Sequence, residues 1–188
     1  MALKPTIYKA QIALADMNRD VYESLTLTVA RHPSETAERM LVRVLAYCLD
    51  YREGLSFGRG LSTAEDPDLW AHSLHGSVDL WIEVGEPLVE RIKKATRQAA
   101  AVKVVSFNSK AGVWWSQNQA ALAALPVDVL QLDWLQVQQF ATQLERTMDL
   151  TISISGESLY INSPKGDCEV SWQVLQSADQ GSSSSSGQ

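Results

Sequence analysis

The sequence predicts an α+β fold built on one mixed sheet, and three stretches predict it. Residues 76–107 read as strand, helix, strand. Residues 7–31 alternate apolar and polar side chains in two arms about a turn. Residues 148–175 alternate again in short arms separated by turn residues. A strand–helix–strand unit of about 30 residues joins parallel strands, whereas tight turns join antiparallel ones. Both kinds of pairing are therefore expected in the same sheet.

The N-terminal arms form a hairpin about Asn18, Arg19 and Asp20, which supply turn chemistry, with Leu25, Leu27 and Val29 against Ser24, Thr26 and Thr28. His32, Pro33 and Ser34 then stop the strand, and Ser34 is the expected N-cap of a helix over residues 35–51. Leu41, Val44, Leu45 and Cys48 make its buried stripe, with Arg39 and Arg43 outside it and Glu38 at the edge of the apolar face. Residues 52–75 are irregular, with a short strand expected over 55–61. A connection this long in a compact fold is usually functional. His72 and His75, followed by Asp79, offer a weak zinc spacing if they share a helical turn.

The stretch from Gly76 to Pro87 is the centre of the chain. In a strand, Val78, Leu80, Ile82 and Val84 take one face, and Asp79, Trp81 and Glu83 the other. Two carboxylates on one face are expected to converge on a divalent cation, because like charges held together need a metal, a basic side chain or a proton. A helix over 87–100 follows, then a β-branched strand over 101–107, a helix over 110–125, a strand over 127–132 and a helix over 134–147. The meander completes the sheet, and the Ser/Gly-rich residues 176–188 are expected to be disordered, which leaves one domain over 1–175.

Composition bounds the function. The net charge of −6 argues against a general nucleic-acid coat protein, but the charge is uneven. No Asp or Glu occurs from Arg91 to Val127, while Arg91, Lys93, Lys94, Arg97, Lys103 and Lys110 do. An acidic centre beside a basic flank suits metal-dependent chemistry on a phosphodiester. A solvated helix face is the plainer explanation of such a run. Trp114 and Trp115, next to it, are either base-stacking or core residues. No apolar run is long enough to span a bilayer, no signal-peptide core opens the chain, and Cys48 and Cys168 form no CxxC pair. Reduced thiols in the cytoplasm, with no membrane partner, are expected. Neither a glycine-rich phosphate loop nor a Gly-x-Ser-x-Gly elbow is present.

Several motifs together carry a family resemblance. They are Pro33-Ser-Glu-Thr-Ala-Glu-Arg-Met40, Gly60-Leu-Ser-Thr63, Glu65-Asp-Pro-Asp-Leu-Trp70, Asp79-Leu-Trp-Ile-Glu-Val-Gly85, Arg91-Ile-Lys-Lys-Ala95, Phe107-Asn-Ser109 and Trp114-Trp115. Over nearly its whole length, the serine tail excepted, the chain resembles the bacterial YaeQ proteins. The resemblance implies a fold similar to the PD-(D/E)XK nucleases, with a restriction-endonuclease-like αβββαβ core. It also implies a site in which Glu38 is the helical acid and Asp79 and Glu83 bind Mg²⁺ or Mn²⁺. Gly85 stands where the superfamily's Glu-x-Lys pattern has its lysine, so Lys93 or Lys94, or else Lys103, is the expected amine. Pro67-Asp68 matches the "PD" but falls in the irregular segment, which ranks Asp68 below Asp79. Arg91, Lys94, Arg97, Lys103 and Lys110 are the expected nucleic-acid contacts. The implied function is a divalent-metal-dependent phosphodiesterase, nuclease-like and acting on nucleic acid. The alternative is a non-catalytic member of the same fold that binds nucleic acid or protein.

Overall fold

The computed structural model describes residues 4–179, and among these residues the chain forms ten strands and four helices. β1 (Thr6–Asp16) and β2 (Val21–Arg31) make the N-terminal hairpin, in register from Thr6 opposite Arg31 to Asp16 opposite Val21. Then come α1 (Ala37–Leu49), β3 (Leu55–Phe57), β4 (Leu69–His72), β5 (Val78–Val84), α2 (Val89–Gln98), β6 (Ala99–Ser106), α3 (Ala111–Leu122), β7 (Val127–Leu132) and α4 (Trp134–Ala141). The meander is β8 (Thr147–Ser155), β9 (Ser158–Ser163) and β10 (Gly166–Gln176).

All ten strands join one sheet in the order β2-β1-β8-β9-β10-β7-β6-β5-β4-β3. β5, β6 and β7 pair in parallel, as the strand–helix–strand pattern requires. β1 and β8 are parallel as well, a long-range pairing that no local pattern announces. β10 joins the two halves: Gly166–Ser171 pairs with β9, and Trp172 onward pairs with β7 through a register shift between Val174 and Gln176. A shift of this kind bends a strand and increases its twist, and the sheet curls until it is nearly closed, like a barrel.

α1 lies inside that curl. Every residue from Met40 to Ala46 is buried, and so are Cys48 and Leu49. One core, drawn from the hairpin, the meander, α4 and the inner faces of β4 to β7, surrounds it. α2 and α3 cover the outer face of β5, β6 and β7 in a second, smaller core that contains Trp81, Ile92, Val104, Leu122 and Val129. The two faces of β5 therefore serve different cores, with Leu80, Ile82 and Val84 turned to α1 and Trp81 to α2.

Four details differ from expectation. α1 begins later, because Thr36 rather than Ser34 caps it by accepting the Arg39 N–H at 3.1 Å. Arg39 and Arg43 do not lie outside; a helix buried all round has no outside, and Arg43 is held at 4% exposure by Glu35. The strand expected over 55–61 ends at Phe57, since Gly58 donates its N–H to the Asp68 carbonyl at 3.0 Å and closes a loop there. A Cβ on Gly58 would meet the Pro67 oxygen at 1.9 Å, so the loop's two ends approach this closely only with glycine. The helix expected over 134–147 stops at Ala141, because Thr147 starts the parallel pairing with β1 opposite Lys9. Residues 180–188, most of the expected disordered tail, lie outside the described residues. Gln176 itself belongs to β10, and its amide donates to the carbonyls of Leu122, Leu125 and Val127.

Arg43 donates twice to Glu35, at 2.6 and 2.9 Å, and once to the Ala30 carbonyl at 2.8 Å, which ties α1 to β2. Breaking a buried pair from one side leaves an uncompensated charge and costs about 3–5 kcal/mol. Glu35→Ala should lose stability on that scale in urea unfolding. A loss below about 1 kcal/mol, the scale of an exposed pair, would show that the pair does not hold the helix.

Candidate functional site

The site is set by the register of β4 on β5. Leu69 lies opposite Ile82 and Trp70 opposite Trp81, so one step further Asp68 lies opposite Glu83. Cross-strand partners place their Cβ atoms about 4.5–5.5 Å apart, and like charges there repel. Both side chains are nearly buried, at 9% and 5% exposure. The acidic pair of the sheet is thus Asp68 with Glu83.

Arginines balance it. Arg39 Nη2 donates to Asp68 Oδ1 at 2.6 Å and to the Val84 carbonyl at 3.2 Å, while its Nη1 donates to Glu35 Oε2 at 2.6 Å. Asp68 Oδ2 accepts the Val84 N–H at 2.7 Å. Glu83 Oε1 accepts from the Trp81 indole N–H and from Arg91 Nε, both at 2.8 Å. Arg91 also donates to the carbonyls of Ala64 and Asp66, which fastens the 58–68 loop over β5. Asp66 helps hold that loop through three bonds from Arg59, and the Arg59 guanidinium draws its carboxyl below the usual range. Counting Arg43 with Glu35, three guanidinium groups face three carboxylates, and the cluster is neutral.

Burial raises the pKa of Glu83, and the charge of Asp68 adds to the rise; the Trp81 N–H and Arg91 offset part of it. Burial works against the charge of Arg39, but Asp68 and Glu35 outweigh it and push its pKa up. Among the described residues no group donates to Glu83 Oε2. Since no buried side-chain oxygen among the described residues lacks a partner, that oxygen opens into the adjoining cleft. The cleft encloses about 440 Å³ between Arg39, Thr63, Asp68, Glu83, Arg91 and Asn108. Glu86 closes one wall by accepting the N–H groups of Phe107 and Asn108 and the Asn108 amide. A second cleft of about 450 Å³ shares the Ala64 and Arg91 walls with the first and is lined further by Glu65, Trp81, Lys94 and Gln98.

The structure separates several residues that the sequence pattern groups. Asp79 is exposed at the start of β5. Four residues of strand rise set it about 13 Å from Glu83, with Trp81 between them, so the two cannot share an ion. Glu38 is half-buried in the first turn of α1 and takes no part in the cluster; Glu35 is the acid that α1 brings to it. Lys103 lies opposite Ile82, on the face away from Glu83, and its Nζ pairs with Asp50 at 2.7 Å. Lys93, Lys94 and Arg97 are exposed on α2, and Lys110 is exposed just before α3. Of these basic residues only Arg91 reaches the carboxylates. Trp114 and Trp115 are half-buried against the outer core, with the Trp114 N–H on the Pro87 carbonyl at 2.9 Å. His72 ends a strand and His75 lies in an exposed turn, so no helical turn unites them.

Asp68 and Glu35 are the residues that sequence reasoning underrated. A signal for Asp68 was present: it stands immediately before the strand Leu69–His72, and an antiparallel turn back to β5 brings it level with Glu83.

The residues do not fit a resident Mg²⁺ or Mn²⁺. Both Asp68 oxygens are engaged, the Val84 carbonyl is shared with Arg39, and the cluster needs no further positive charge. Among the described residues no three His, Cys, Asp or Glu side chains stand close enough to hold a metal ion. Gly85, where the sequence resemblance expects a lysine, has a φ of +109° that disfavours any side chain.

Fold and site together define an α+β protein whose nearly closed sheet wraps a buried helix and carries an arginine-balanced acidic pair at the end of a central strand. Residues 1–172 match the family described as YaeQ protein. The chain belongs to the YaeQ family. The YaeQ proteins of Escherichia coli (strain K12) and Salmonella typhi are 42% and 41% identical to it, over 92% of this chain and 98% of theirs. The crystal structure of the YaeQ protein from Pseudomonas syringae is 37% identical with a TM-score of 0.87, covering 92% of this chain and 96% of its own. That of the Xanthomonas axonopodis pv. citri protein is 31% identical with a TM-score of 0.89, covering 92% and 99%.

The raised pKa of Glu83 fixes the sign of a pH effect. The native state keeps this proton to higher pH than the unfolded chain does. The group's contribution to stability is thus greatest below the ordinary glutamate range, near pH 4.3, and declines as pH rises through the raised value. From about pH 4 to pH 7, the native protein should lose stability relative to Glu83→Gln in thermal unfolding. A difference that stays constant or reverses with pH would contradict the assigned shift.

Proposed function

We propose that this chain is a PD-(D/E)XK-like protein whose acidic centre serves as structure, and that it binds the phosphodiester backbone of nucleic acid without cleaving it. The succession α1, β3, β4, β5, α2, β6 follows the αβββαβ order of that superfamily, and Pro67-Asp68 with Glu83 matches its acids. A shared order of elements supports a common fold but not a common activity.

The carrying observation is the adjacent pair of clefts. Arg91 walls both, and the second runs along α2 to Lys94. Arg97 lies three residues beyond Lys94, on the next turn of the helix. A polyanion laid along this track meets exposed Lys94 and Arg97, which pair with no carboxylate among the described residues, while Glu65 also lines the second cleft. Contacts of this kind position a backbone and carry no sequence information. The amine that would steady developing negative charge in a phosphoryl-transfer site has no counterpart near Asp68 and Glu83, because Lys103 faces away and the nearest lysines are on the exposed side of α2.

A second reading, the metal-dependent phosphodiesterase, draws support from one feature. Glu83 is a nearly buried carboxylate with a raised pKa and one oxygen open to a cleft, and such groups concentrate at functional sites. A nuclease screen in Mg²⁺ and in Mn²⁺ decides between the two readings. Cleavage that disappears in Glu83→Gln would establish the second.

Binding is tested by fluorescence anisotropy with a short labelled single-stranded oligonucleotide across a salt series. Lys94→Glu with Arg97→Glu should weaken binding about tenfold or more and reduce the salt slope by about one for each phosphate no longer neutralised. Asp79→Ala should leave binding unchanged. Equal affinity and equal slope in the double variant would remove α2 from the interface.

A further inference from the structure

We propose that Arg39 is the resident cation of the Asp68–Glu83 centre, so that the native chain fills with its own guanidinium a place otherwise suited to a divalent ion. Arg39 Nη2 is bracketed by a carboxylate oxygen, Asp68 Oδ1, and a backbone carbonyl, Val84 O. A second carboxylate, Glu83, lies opposite Asp68 with one oxygen open to the same cleft. Carboxylate, carbonyl and carboxylate oxygens are the donors that hard divalent cations take. In this protein the charged nitrogen of a side chain takes two of the three.

The guanidinium is not a loosely parked neighbour. Its other terminal nitrogen is fixed by Glu35, whose side chain is 2% exposed and is shared with Arg43. Swinging Arg39 outward would strip a buried carboxylate of one of its two partners. Adding a divalent ion beside Arg39 would leave a neutral, largely buried cluster with two excess positive charges, which low-dielectric surroundings oppose. Removing the charge of Arg39 instead leaves the cluster one positive charge short. The side chain at position 39 thus decides which cation the oxygens hold.

This inference deepens the metal-free reading of the cleft. It is independent of nucleic-acid binding, because its test contains no oligonucleotide. Isothermal titration with MnCl₂ compares the native protein, Arg39→Met, Arg39→Lys and Arg39→Met with Asp68→Asn. Met keeps the aliphatic stem without the charge, and Lys keeps the charge. Native and Arg39→Lys should show no saturable binding. Arg39→Met should show saturable Mn²⁺ binding, and the double variant should lose it. The near-UV circular dichroism of each variant establishes that it is folded. A folded Arg39→Met that binds Mn²⁺ no better than native overturns the proposal. Should that variant fail to fold, native crystals grown or soaked in MnCl₂ decide the matter by anomalous scattering. A manganese peak on Asp68 with Arg39 displaced refutes the assignment, and Arg39 in place with no peak there supports it.

Discussion

A guanidinium can stay in a protein interior only when carboxylates meet it in good geometry, and α1 brings two guanidinium groups inward. Arg43 and Arg39 meet on Glu35, and Arg39 passes on to Asp68 and the backbone of Val84. From Val84 the strand leads back to Glu83, which takes Arg91 from α2. This chain of contacts links the hairpin, the buried helix, the long loop, the central strand and the outer helix. Each charge has its partner in a different element, except where α1 answers Glu35, two residues before its start. The apolar core alone would tolerate small rotations of α1, since most of the helix's buried residues are apolar. The ion network, being directional, defines which way the helix is turned.

That network also accounts for what the site can do. A carboxylate pair on adjacent strands is an unstable arrangement until something positive joins it. Here arginines join it from both sides of the sheet, Arg39 from within the curl and Arg91 from outside. The result is a cleft with an electrically balanced floor beside an α2 surface that carries exposed Lys93, Lys94 and Arg97 as well as Glu90. On the proposed reading, an anionic ligand meets the rim and the floor stays closed to it. Gly85 belongs to the same design. Its positive φ turns the chain away at the end of β5, and its N–H reaches the Val105 carbonyl at 2.9 Å.

Much of the fold was legible because its signals are local. Alternation gave the hairpin and the meander, and the strand–helix–strand pattern gave the parallel pairing of β5 with β6. Val127–Leu132 fell where a short apolar run between turn residues placed it. The parallel pairing of β1 with β8 was not legible, since nothing near Lys9 or Thr147 announces it, and that pairing is what cuts α4 short. The site was half legible. Glu83 and Arg91 were marked by strand alternation and by the acid-free run. Asp68 was obscured by the irregular segment before it, and Asp79 was favoured because it shares a face with Glu83, although four residues of strand rise already put the two about 13 Å apart. Arg39 and Arg43 were placed in solvent by a helical-face argument that fails for a helix buried on every side.

The central claim is that Arg39 and Asp68 form a coupled pair that organises both helix and cleft. A double-mutant cycle with Arg39→Met and Asp68→Asn, read by urea unfolding, tests it most directly. Residues joined in one buried network should show a coupling of about 0.5–3 kcal/mol, with the double variant less destabilised than the sum of the two single substitutions. Strict additivity of the two substitutions would contradict the account and reduce the network to neighbouring but independent contacts.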